Sequence, residues 1–155
     1  MFNLNNSLKE IYIELLHKIL TFTDFSFGEI WIPDYKTNTI QLIESVAIDS
    51  FGEQFINENK IRSFKRDEGL PGQTLTQKKS IIWSTAQDKV QFVRKDLAKK
   101  TKINSALSIP LFSSNNIEAI LLFGTTRKSP KIYGLDNLIL ELQNFLGNEI
   151  KRKRL

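Results

Sequence analysis

The stretch Asp67–Leu111, DEGLPGQTLTQKKSIIWSTAQDKVQFVRKDLAKKTKINSALSIPL, is too elaborate to be a loop, and it constrains what the rest of the chain can become. It opens on a turn at Gly69, Leu70, Pro71 and Gly72. Pro71 suits the first turn of a helix, because its fixed φ and missing N–H cost nothing there. A β-prone run, Ser80 to Trp83, follows, and a polar segment around Ala86 to Val90 leads into a second short helix. A strand through SALSIPL, Ser105 to Leu111, closes it. An excursion of this kind needs a surface to fold over, and the flanking sequence supplies one.

Before it, Leu8, Ile11, Leu15, Ile19 and Phe22 recur at three- and four-residue steps, with Tyr12 and Leu16 widening the stripe, so an amphipathic helix is expected over about 7–22. FGEIWIP, Phe27 to Pro33, alternates as a strand, with Phe27, Glu29 and Trp31 on one face and Gly28, Ile30 and Ile32 on the other. Turn residues Asp34 to Asn38 join it to a second strand, Thr39 to Ile48. A short helix over Ser50–Asn59 carries Phe51 and Phe55 on one side, and Ile61 to Phe64 is another β-prone run. After the excursion, Asn104–Leu111 and Ile117–Thr126 form a second hairpin whose Ala, Leu and Ile content implies a sheet covered on both faces. An apolar stripe from Leu135 to Ile150 predicts a closing helix over about 135–152. The whole is a single α+β domain, 1–155, built on an antiparallel sheet.

EGLPG at Glu68 to Gly72, Trp83 after a small apolar run, the spacing of Phe92, Arg94 and Ala98, and SALSIPL before a hydrophobic strand resemble, in this order, the GAF domains of signalling proteins. The resemblance covers roughly Gly28 to Arg127. It implies a GAF-like, profilin-like fold: a five- or six-stranded antiparallel sheet, terminal helices together on one face, and short helices and lid loops over the other. It also implies a small-molecule pocket between sheet and lid. The contacts of ligand-binding members carry over to Glu29, Leu70, Pro71, Thr85, Gln87 and Phe92, with Phe64, Trp83 and Leu107 as apolar walls. A planar ring would suit that mixture of aromatic faces and few polar groups. Arg94 reads as one half of an exposed salt bridge with a neighbouring carboxylate.

Composition excludes several chemistries. There is no cysteine, hence no thiol nucleophile, thiolate metal site or thioether-linked chromophore, and the free methionine sulfoxide reductases that share the GAF fold use cysteines. The single histidine, His17, lies on the first helix without a companion ligand in view, so neither a metal site nor catalysis is expected. No Walker or dinucleotide glycine motif occurs. Of the formal net charge of +5, four charges sit in Lys151, Arg152, Lys153 and Arg154, leaving a near-neutral body. That tail reads as the solvated end of a helix and no nucleic-acid partner is expected.

The longest apolar stretch, Ala119 to Phe123, is too short to span a bilayer and the amino terminus lacks a signal-peptide pattern, so a cytoplasmic location off the membrane is expected. The resulting expectation is a non-catalytic, bacterial sensory or regulatory domain. It binds a small molecule without covalent attachment, pairs as a homodimer through its terminal helices, and hands a signal to an output domain or partner signalling protein. The alternative is a degenerate GAF domain without ligand, its interior filled by its own side chains, that serves as a dimerisation or interaction scaffold.

Overall fold

The computed structural model describes residues 6–86 and 91–128, together with 137 and 140. The closing helix expected over 135–152 and the basic tail lie outside the described residues. Within them the order is α1 (Asn6–Phe22), β1 (Phe27–Asp34), β2 (Thr39–Ala47), α2 (Ser50–Glu58), β3 (Ser63–Lys65), α3 (Gly69–Gln77), β4 (Ile81–Trp83), α4 (Lys95–Thr101), β5 (Ser105–Ser113) and β6 (Asn116–Thr125). The strands form one six-stranded sheet in the order β3-β2-β1-β6-β5-β4, antiparallel throughout. Hairpins join β1 to β2 and β5 to β6, and β1 pairs with β6 at the centre.

Because side chains alternate along a strand, each central strand feeds two cores at once. Ile30 and Ile32 of β1, Leu107, Ile109 and Leu111 of β5 and Ala119, Leu121 and Phe123 of β6 meet Leu8, Tyr12, Leu15, Leu16 and Ile19 of α1. Phe27 and Trp31 of β1, Ala106 of β5 and Ile120 and Leu122 of β6 meet Phe55 of α2, Leu70 and Leu75 of α3 and Ala98 of α4. Burying one such side chain contributes about 1.5–3 kcal/mol, so neither face stays wet. Among the described residues, no helix is long and apolar enough to cross a membrane.

The helices opposite α1 form the lid. Asp49 caps α2 by accepting a hydrogen bond from the Gly52 amide at 2.8 Å. Only Phe55 of the expected Phe51/Phe55 pair enters the core; Phe51, in the first turn, stays 39% exposed. Gly69 starts α3 with φ 66°, a left-handed conformation that glycine adopts without a side-chain penalty. Pro71 occupies the first turn of that helix. The buried hydroxyls of Thr74 on α3 and Ser108 on β5 hydrogen-bond each other and fasten the lid to the sheet. On β6, a Cβ at Gly124 would lie 2.2 Å from Cε1 of Phe27, so only glycine leaves room for that ring to stack on Phe55 with centroids 4.4 Å apart.

Candidate site between sheet and lid

Glu29 and Trp31, two apart on β1, share the lid-facing side of the central strand. The β1/β2 register shifts between Ile30 and Trp31, a local irregularity of the kind that re-aims side chains. Trp31 Nε1–H donates to Glu29 Oε1 at 3.0 Å. From the far side of the lid, at the residue that precedes α4, Arg94 donates through Nη1 to Glu29 Oε2 and through Nη2 to Oε1, each at 2.9 Å. Both charged side chains are enclosed: Glu29 is 0% exposed and Arg94 3%.

Three aromatic rings surround the guanidinium. Its Cζ lies 5.4 Å from the Trp31 ring centroid, 5.0 Å from Phe55 and 5.7 Å from Phe64. These distances are within cation–π range, and such contacts strengthen when water is excluded. Trp31 and Phe64 also pack against each other at 4.9 Å. Residues from β1, α2, β3 and the start of α4 therefore converge on one buried charge pair. Beside it, Trp83 and Phe92 make an edge-on ring contact at 5.7 Å. Nε of Arg94 is buried and has no hydrogen-bond partner among the described residues.

Of the residues expected to form a pocket, Glu29 lies at the centre of this arrangement, and Phe64, Leu70, Trp83 and Phe92 belong to the same lid-side cluster. Pro71 is buried on α3 next to Leu70. Thr85 is exposed, with φ 55°, an unusual conformation for a β-branched residue. Gln87 lies outside the described residues. Leu107 requires a correction: it packs in the cluster with α1, while Ala106 takes the lid side. Strand β5 is buried on both faces, so its apolar residues carried no facing signal there.

Arg94 is the larger correction. It makes no exposed local ion pair; its carboxylate partner comes from a strand 65 residues earlier and both are buried. Trp31 and Phe55 were also missed as neighbours of that charge. Strand alternation put Trp31 on the same face as Glu29, but no local signal brought Arg94 or Phe55 to that face. The lone histidine, His17, is exposed on α1. Among the described residues, no group of three or more His, Asp or Glu side chains converges as a metal site would require.

The family model for the GAF domain matches residues 5–142. No curated relative matches the sequence. Among solved structures, the GAF domain/HD domain protein from Geobacter sulfurreducens superposes with a TM-score of 0.76 at 10% identity, covering 95% of this chain and 94% of that one. The GAF domain of a two-component sensor histidine kinase from Bacillus halodurans gives 0.71 at 18% identity, covering 92% and 93%. A type II free methionine-R-sulfoxide reductase from Thermoplasma acidophilum gives 0.74 at 5% identity, covering 94% and 93%.

Proposed function

The chain belongs to the GAF domain family, and from that premise we propose that it is a non-catalytic sensory domain, binding a small planar molecule between sheet and lid. The observation that carries this reading is the Glu29–Arg94 pair, enclosed among Trp31, Phe55 and Phe64 on the lid side of the central strand. A buried ion pair is a poor device for stability, because desolvating both charges offsets most of their attraction and apolar replacements are often at least as stable. A charge pair enclosed where the resemblance places ligand contacts is better accounted for by recognition. The side chains around it are closed over in this conformation, with Phe64, Leu70 and Trp83 at 2%, 1% and 8% exposure. Ligand entry therefore separates lid from sheet, and that displacement is the signal.

In this reading the signal leaves through the terminal helices, which pair two copies and pass it to an output domain or partner protein. The kinase neighbour, a GAF domain of a two-component sensor, supports that context, and a bacterial cytoplasm suits it. The reductase neighbour does not extend to this chain, which has no cysteine for thiol chemistry.

A second reading has its own support: Arg94, Trp31, Phe55 and Phe64 fill the lid-side interior with mutual contacts, as an internally packed scaffold would. Native mass spectrometry of the purified protein, before and after denaturation, separates the two. A reproducible small-molecule mass lost on denaturation establishes the sensor. An apo dimer that takes up nothing from a metabolite extract favours the scaffold.

A further inference from the structure

Resting on the ligand-binding reading above, we propose that the site takes an uncharged planar ring carrying a hydrogen-bond acceptor, a carbonyl oxygen or ring nitrogen, which receives the Nε–H of Arg94. Three N–H groups already engage Glu29 as their acceptor: it receives Nη1 and Nη2 of Arg94 and Nε1 of Trp31, so both carboxylate oxygens are engaged. Of the three guanidinium nitrogens of Arg94, Nε is the one that is buried with no acceptor among the described residues. Buried polar groups in folded proteins nearly always find a partner, so an open donor at 3% exposure marks a place for one.

The charge of the partner follows from the surroundings. Glu29 already neutralises Arg94. A ligand anion would leave a net negative charge among Trp31, Phe55 and Phe64, whose π faces also repel it. A ligand cation would face the positive guanidinium, whose counter-charge on Glu29 is already paired. A neutral acceptor satisfies Nε–H without disturbing the balance. A flat shape matches the rings that would have to part for it, Trp31, Phe64, Trp83 and Phe92.

The test uses the whole protein, labelled with ¹⁵N, and three probes of one shape: benzamide, benzoate and benzylammonium. Benzamide is expected to move the Arg94 Nε–H and Trp31 indole resonances, and to bind at least about tenfold more tightly than either charged probe. Arg94→Lys keeps a cation opposite Glu29 but lacks Nε–H, and is expected to weaken benzamide by a similar factor. The wild-type Arg94 resonance gives a readout that does not depend on that variant folding. If benzoate or benzylammonium binds as well as benzamide, or benzamide leaves the Arg94 Nε–H unmoved, the proposal is overturned while the pocket stands. Silence from all three probes, with a clean apo mass, removes the pocket reading and this proposal together.

Discussion

Arg94 and Glu29 stand 65 positions apart in the chain and meet as a two-pronged, fully enclosed ion pair, joining the start of α4 to the central strand β1. This contact ties lid to sheet at the point where the aromatic side chains are densest.

Breaking the pair one partner at a time should be costly, because the survivor is left as an uncompensated buried charge. Glu29→Gln and Arg94→Met are each expected to lose about 3–5 kcal/mol of unfolding free energy. The double variant Glu29→Gln with Arg94→Met retains an acceptor for Trp31 Nε1 and should recover most of that loss. Urea denaturation of the three proteins checks this, and a double variant as unstable as the sum of the singles would contradict the coupling.

The hydroxyl contact between Thr74 and Ser108 is asymmetric. Thr74 Oγ1 also donates to the Leu70 carbonyl at 2.8 Å, so Ser108→Ala leaves it partnered, whereas Thr74→Val strands the Ser108 hydroxyl. Thr74→Val is therefore expected to cost about 1–3 kcal/mol and Ser108→Ala less. Adding Ser108→Ala to Thr74→Val should bring no further loss in thermal or chemical denaturation.

Thr85 holds φ 55°, where a β-branched side chain is strained by about 1–2 kcal/mol. Thr85→Gly should leave stability unchanged or raise it slightly, since relief of strain competes with the entropy of a freer unfolded chain. If Thr85 contacts a ligand, the same variant weakens binding while the melting temperature holds, and calorimetric titration beside thermal unfolding separates the roles.

Lys100 on α4 hydrogen-bonds Glu58 on α2, and this contact, followed by the Gln54 side chain, holds the Glu58 carboxyl below its usual value. A depressed carboxyl stabilises the fold above its unfolded pKa, near 4.5, and loses that contribution as pH falls through the folded value. The melting-temperature gap between wild type and Glu58→Gln should thus be present at neutral pH and close on acidification below the ordinary glutamate range. A gap that persisted or widened in acid would refute the assignment.

Much of the architecture was legible along the chain. The period-three-and-four stripe of α1, the alternation of Phe27 to Pro33 and the turn before Pro71 each report a local periodicity or a local backbone restriction, and the corresponding elements formed where those signals lie. Trp83 was legible as a lid-side candidate through the motif shared with the family, and Glu29 through the ligand contacts that the resemblance carries to the first strand. Leu107 was not, because a strand buried on both faces has no inside-outside alternation to read.

Residue type and near-neighbour spacing were enough for the elements from α1 to β6, the sheet covered on both faces and the absence of thiol chemistry. The inward turn of Arg94, its pairing with Glu29 and its enclosure by Trp31, Phe55 and Phe64 come from long-range packing. An arginine beside Lys95 and Asp96 reads locally as a surface residue. Its burial becomes favourable only when a carboxylate from a distant strand and three rings from separate elements arrive together to replace the water it gives up.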